Sequence, residues 1–250
     1  VFSEAPEHYD LIYRSFKDYE TEAASVAALL RTVAPEARSV LDVACGTGEH
    51  ARYLHGVHGY DVNGLDIEPG FVEIARAKLP DGRVWLGDMT DFELGVRFDV
   101  ILCLFSSIGY MCDLQGVERA LRCFHRHLAP SGIVMVEPWF EPDSWHAGRV
   151  HVQSGESEEL RVVRMSHSSV EGHVSRLEFH YLIGTDQGVE HRVEHHEMGL
   201  YTRGQMRGCF EKAGFLKVDH DPQGLTGRGL YTARANAAWI PRSLPGENAR

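Results

Sequence analysis

A short apolar run that breaks into a glycine turn narrows the choice of fold. The run is Leu41-Asp42-Val43-Ala44-Cys45-Gly46-Thr47-Gly48. Residues 39–44 read as a strand, and 48 to about 57 read as the helix that the turn opens. The same alternation continues along the chain. Strands are expected at 61–66, 84–86, 98–105 and 133–137, and helices at 18–33, 69–78 and 114–128, where Pro130 and Gly132 stop the last. Apart from Asp99, the run at 98–105 is apolar, as strands buried on both faces are. Strands that alternate with helices predict an α/β fold with a doubly wound parallel sheet.

The pattern changes after residue 140. Strands at 159–168, 174–183 and 189–200 follow one another without helices. Glu171-Gly172 and residues 186–188 read as their turns. This predicts an inserted antiparallel β meander over 141–200. A helix at 202–213 and strands at 215–220 and 229–233 return to the main sheet, so 1–140 and 201–235 form one core. Residues 236–250 are expected to be a loose tail.

Charge removes several function classes. The 250 residues carry 25 Lys+Arg against 36 Asp+Glu, a net charge of -11. That balance argues against a nucleic-acid partner, which needs a basic footprint. It argues equally against anionic membrane surfaces, and no apolar run is long enough to span a bilayer. The first ten residues are polar and acidic, unlike a secretory leader. The five cysteines form no CxxC pair, so reduced thiols and a cytoplasmic location are expected.

Three acids stand at expected strand ends around the glycine turn. Asp42 precedes the turn, where an acid suits a cationic ligand better than a pyrophosphate. Asp66 ends the next strand, where it can accept both hydroxyls of a ribose. Gly87-Asp88-Met89 ends the third, where an acid and backbone can grip an adenine edge. Gly46-Thr47-Gly48-Glu49-His50-Ala51 also fits a nicotinamide-type GxGxxA turn, but Glu49 would crowd a pyrophosphate. A non-catalytic nucleoside binder is a further reading. The set suits S-adenosylmethionine, which carries a ribose, an adenine, an ammonium and a sulfonium, but no phosphate. Residues 38–137 resemble the class I methyltransferases, whose Asp-x-x-x-Gly-x-Gly signature falls on Asp42 to Gly48. The resemblance implies a Rossmann-like core and S-adenosylhomocysteine as product. It places Gly46 and Gly48 beside the methionine part, Asp66 on the ribose, and Asp88 and Met89 on the adenine. Ala44, Ile67 and Leu104, at the ends of the first, second and fourth strands, complete the cofactor set.

The acceptor side is read from the later strand ends. Phe105-Ser106-Ser107-Ile108-Gly109-Tyr110 and Glu137-Pro138-Trp139 follow the fourth and fifth strands, and the meander follows them as a lid or partner surface. With Lys17-Asp18-Tyr19, Arg164-x-Ser166-His167-Ser168 and Gly227-Arg228-Gly229-Leu230, they resemble the bacterial nucleotide-sugar N-methyltransferases. Those enzymes mono- and then dimethylate the amine of a dTDP-linked amino sugar in antibiotic biosynthesis. Phe140 departs from the second Trp common at that position. Tyr9 and Tyr19 are implied at the methionine carboxylate.

Methyl transfer to a neutral amine asks chiefly for alignment, which can supply roughly 7–11 kcal/mol. Tyr110 is the candidate catalytic hydrogen-bonding group, or else a packed tyrosine. Arg228, between two glycines, suits a diphosphate. Ser107 and Trp139 are further acceptor candidates, with Trp139 equally readable as core. Arg164 and His167 sit on opposite faces of a regular strand, so both cannot reach one ligand without a bulge. Of the 15 histidines, His191, His195 and His196 are the densest group. They lack an HExxH spacing, and alternation sends His196 away from the other two, so solvated strand faces are expected rather than a metal site. A homodimer through meander edges is expected. Competing readings are a methyltransferase for another small acceptor and a binder that has lost turnover.

Overall fold

A computed structural model describes residues 6–236. Helices α1 (Pro6–Tyr13) and α2 (Tyr19–Val33) precede β1 (Ser39–Val43) and α3 (Glu49–Gly56). Then come β2 (Asp61–Asp66), α4 (Pro69–Lys78), β3 (Val84–Leu86), β4 (Phe98–Cys103), α5 (Leu114–His127) and β5 (Leu128–Val136). Strands β6 (Val150–Glu156), β7 (Arg161–Glu171), β8 (Val174–Thr185) and β9 (Gly188–Gly199) follow. The last elements are α6 (Arg203–Lys212), β10 (Phe215–Asp221) and β11 (Leu230–Ala235). Most expected elements appear within a residue or two of their expected ends. The expected tail falls at 236–250, of which 237–250 lie outside the described residues.

The main sheet has seven strands in the order β10-β11-β5-β4-β1-β2-β3. β1 pairs parallel with β2 and β4, and only β11 runs against its neighbours β5 and β10. Side chains fill both faces because apolar residues occupy successive positions of the central strands. One layer packs Ile101, Cys103 and Val134 under Leu121 and Phe124 of α5 and Phe210 of α6. The other packs Val40, Val100 and Leu102 under Leu30 of α2 and Leu54 of α3. Each such buried side chain contributes roughly 1.5–3 kcal/mol.

The second sheet is antiparallel, in the order β6-β7-β8-β9. It has one strand more than the expected meander. β6 is an edge strand with mostly exposed residues, so it lacks the apolar alternation that marks a half-buried strand. β7 alternates strictly, with Val162, Arg164, Ser166 and Ser168 buried and their neighbours exposed. α1, absent from the expected elements, packs Ile12 and Tyr13 against Val162, Phe179 and Tyr181 of this sheet. It thereby closes one side of the space between the two sheets.

Candidate active site

The site lies at the carboxyl ends of β1, β2, β3, β4 and β5, where open parallel sheets hold ligands. The backbone there is unusual. Ala44 after β1 has φ 57, and Phe105 and Ser106 after β4 have φ 52 and 61. Left-handed backbone in non-glycine residues persists only where neighbours enforce it. Here Glu137, fully buried after β5, accepts the Phe105 amide at 2.7 Å and the Thr226 hydroxyl. The Ser106 hydroxyl donates to the Pro138 carbonyl at 2.6 Å and accepts from Arg228 at 3.0 Å. Two cations stand close to the Phe105 ring, Lys17 Nζ at 4.0 Å and the Arg228 guanidinium at 5.0 Å from its centroid.

A cavity of about 640 Å³ runs from these strand ends to the antiparallel sheet. Its first end is lined by Ala44, Gly46, Asp66, Ile67, Asp88 and Met89. Gly46 has φ +56, and a Cβ there would meet nothing within 4 Å, so the turn presents bare backbone to open space. Asp66 accepts the Gly46 amide at 2.8 Å and the Glu68 amide at 2.9 Å, one on each oxygen, and each oxygen keeps a lone pair for a hydroxyl. Burial raises its pKa. Asp42 is 2% exposed, and its Oδ2 has no hydrogen-bond partner. Burial, and then the neighbouring Asp66, push its pKa up to about 7. A cationic, phosphate-free ligand fits these acids.

The other end of the cavity is lined by Tyr110, Trp139, Trp145, Arg164, His196 and Arg228, among others. Trp139 donates to the Ser175 hydroxyl at 2.9 Å, which fixes its ring, and Ser107 stands nearby on the cavity wall. Arg164 faces inward and donates to Tyr13 at 2.9 Å and to Gln153. It therefore ties α1 to β7 and keeps a positive charge in the wall. Tyr9 also lines the cavity, stacked on Tyr13 with ring centroids 4.1 Å apart.

Several expected site residues lie elsewhere. Tyr19 is buried against His50, with ring centroids 4.9 Å apart, beside the Lys17–Glu22 pair and away from the cavity wall. Gly48 supplies the left-handed N-cap of α3, where a Cβ would come within 3.1 Å of Ala75. Leu104 is buried in the apolar layer, and Asp42 sits behind the turn. β7 runs without a bulge, so His167 is exposed on the face opposite Arg164 and reaches only part of the cavity wall.

The solvated-face reading of the histidines fails for His196. It is 3% exposed, and its Nδ1 lies 3.0 Å from the Tyr110 hydroxyl. Its Nε2 lies 3.4 Å from Glu194 Oε2, which also accepts from Tyr181 at 2.9 Å. His191 and His195 occupy the outer face. Glu194 and His196 were legible only as alternate residues of one strand, with nothing local to say which face was inside. Among the described residues, no cluster of three or more His, Cys, Asp or Glu could hold a metal ion.

Fold and site together define a class I methyltransferase that uses S-adenosylmethionine. The model of a methyltransferase domain matches residues 40–132. The chain belongs to the dTDP-amino-sugar N,N-dimethyltransferase family. It is 44% identical over 236 residues to the dTDP-3-amino-3,6-dideoxy-alpha-D-glucopyranose N,N-dimethyltransferase of Streptomyces fradiae, covering 94% of this chain and 92% of that one. The structure of DesVI from Streptomyces venezuelae superposes with a TM-score of 0.87 at 35% identity, covering 94% of this chain and 100% of DesVI. The SAM-bound amino pentose methyltransferase CalS10 superposes with a TM-score of 0.81 at 32% identity, covering 94% and 98%.

Proposed function

We propose that the protein transfers methyl groups from S-adenosylmethionine to the amine of a dTDP-linked 3-amino deoxysugar, first one and then a second. The observation that carries this reading is the polarity of one continuous cavity. Its strand-end half is lined by the acids Asp66 and Asp88, while its far half holds Arg164 and Arg228 among aromatic rings. A cationic donor fits the first half and an anionic nucleotide sugar the second.

When bound, S-adenosylmethionine supplies an electrophilic methyl on its sulfonium. Asp66 takes the ribose hydroxyls, Asp88 and Met89 the adenine edge, and Ala44 and Gly46 flank the methionine part. Gly48 and Leu104 support that cradle from behind rather than line it. Tyr9 and Tyr13 close over it from α1. The diphosphate lies against Arg228, a guanidinium already oriented by Ser106. Trp139 and Ser107 border the sugar, and Tyr110 meets its amine. The antiparallel sheet serves as the acceptor-side wall, and the glycine-turn sheet as the donor-binding core. Alignment of amine and methyl carries most of the rate.

The 3-amino position follows the printed substrate of the Streptomyces fradiae relative. Mass spectrometry of dTDP-3-amino and dTDP-4-amino sugars incubated with enzyme and cofactor tests the reading. Gain of one and then two methyl masses on the 3-amino sugar is expected. Cofactor binding without transfer to either amine would overturn it.

We further infer a homodimer and a cytoplasmic location. On the outer face of the antiparallel sheet, Val152, Met165, His180 and Val193 form one row, and Val163, Leu182 and His191 form the next. Met165 and Leu182 are half exposed there, which suits a self-complementary contact. All five cysteines are free thiols, which suits a reducing compartment. Among the described residues, no helix is long and apolar enough to cross a membrane.

A further inference from the structure

The proposed reaction needs its amine neutral, yet an alkylamine near neutral pH is an ammonium, with a pKa of about 10 in the lysine case. An ammonium has no lone pair to offer. It would also stand beside a second positive charge. The site therefore needs somewhere to put a proton before each of two methyl transfers.

Among the described residues, a buried chain of polar groups leads away from the acceptor end. Tyr110 sits on the short turn Ser107–Tyr110 after β4, and its hydroxyl lies 3.0 Å from His196 Nδ1. His196 Nε2 faces Glu194 Oε2 at 3.4 Å. Alternation along β9 turns both side chains inward, where they are 3% and 7% exposed. Glu194 is the acceptor at the end of the chain. Burial raises its pKa, but hydrogen bonds from His196 and Tyr181 outweigh that and hold it below the usual glutamate value. An ionised Glu194 only accepts, so it fixes the proton of His196 on Nε2. Nδ1 is then the acceptor, and Tyr110 donates to it. The remaining lone pairs of the Tyr110 oxygen are left for a donor in the cavity.

We propose that Tyr110, His196 and Glu194 form the proton outlet of this site. The inference rests on the amino-sugar reading above. The sugar ammonium gives one proton to the Tyr110 oxygen as Tyr110 passes its own to His196 Nδ1. The amine recovers its lone pair, Tyr110 stays neutral, and His196 becomes an imidazolium held by Glu194. The imidazolium then returns the proton to solvent. After the first methyl transfer the product is again an ammonium, and the same three groups relieve it before the second. Tyr110 is the catalytic residue of this relay, while His196 and Glu194 act through it.

His196 is faced by Tyr110 from the turn after β4, by Glu194 from its own strand and by Arg164 from β7. From β8 it meets the Phe179 ring, with Tyr181 bonded to Glu194 and Tyr13 of α1 bonded to Arg164 behind. Burial lowers the His196 pKa, so it stands neutral at pH 7, as a proton acceptor must. Its protonation on the acid side should abolish the outlet below the ordinary histidine value of about 6.5.

The test is the pH profile of methyl transfer to a dTDP-3-amino sugar by the whole chain and by His196→Gln, Glu194→Gln and Tyr110→Phe. Calorimetry of S-adenosylmethionine binding serves as the control for folding. We expect kcat at pH 7 to fall by about 10²-fold or more in His196→Gln, with the sugar KM little changed. The deficit should shrink steadily as pH rises toward the amine's own pKa, because solvent then supplies the neutral amine. Tyr110→Phe, which keeps the ring, should show the same profile, and Glu194→Gln a milder one. A deficit of equal size at every pH, or wild-type kcat in both His196→Gln and Tyr110→Phe, would overturn the relay. An unmodified chain that binds cofactor but methylates no sugar amine would instead overturn the amino-sugar reading and the relay with it.

Discussion

At the scale of single residues, the buried carboxyl of Asp42 makes a measurable claim. Its folded pKa of about 7 lies above the ordinary aspartate value. The folded state therefore binds this proton more tightly than the unfolded chain does. Its contribution is fully present at low pH and is lost as pH rises from about 4 toward 7. The ligand-free protein should lose Tm over that window, and Asp42→Asn should remove part of the loss; a scan of Tm against pH for both proteins decides it. Arg228 makes the corresponding claim for the acceptor. A charged hydrogen bond contributes roughly 1.5–3 kcal/mol, so Arg228→Ala should raise the KM for the nucleotide sugar by about 10–100-fold. Cofactor affinity should hold, and an unchanged KM would point to an acceptor without a diphosphate. Both residues were legible in the sequence because each sits in a short motif whose spacing carries its chemistry. Tyr19 was not, since a tyrosine that starts a helix can turn to a cavity or to His50, and only packing chooses.

Helix α1 shows what depends on whole elements. Only eight residues long, it is too short to hold itself in water. It is fastened instead by side chains at its neighbours' ends. Asp10 accepts from Thr47 of the glycine turn and from Lys78 of α4, each at 2.5 Å, and Arg14 reaches Glu49 of α3 at 2.9 Å. Glu49 is almost fully covered. Burial raises its pKa, but Lys78, Arg52 and Arg14 together hold it at about 2. A depressed acid stabilises the fold above the usual glutamate value and stops doing so only as pH falls toward about 2. Glu49→Gln should loosen α1 while the sheets stay intact. Hydrogen exchange of α1 amides should speed up about tenfold, equivalent to about 1.4 kcal/mol, and amides of β4 should not respond. Helix α1 is not legible in the sequence because its apolar residues, Leu11 and Ile12 with two tyrosines, span barely two turns and make no helical stripe. β6 escaped for the parallel reason, as an edge strand with little to bury.

Across the whole molecule, the two sheets line one cavity, and the outer face of the smaller sheet exposes Val152, Val163, Met165 and Leu182 among histidines and charged side chains. If that face is the contact between two copies, Leu182→Glu should give a monomer in sedimentation while methyl transfer persists, because Leu182 points away from the cavity. A wild-type monomer would remove the inference. The parallel sheet, its strand ends and the acids around the glycine turn follow from the order of residues alone. Those features are local: apolar runs, turn glycines and fixed spacings act over a few residues. That order also places His191 and His195 on a face that His196 does not share. Which face lies inside depends on packing between segments distant in the chain. Burial is set by what packs on a strand, here Tyr110 from β4's turn and Phe179 from β8, far away in the chain. The same holds for Arg164 and His167, where a regular β7 buried one side chain and left the other exposed at the rim of the cavity. Alternation is a property of the strand alone, but its phase against the core is fixed by contacts between distant segments.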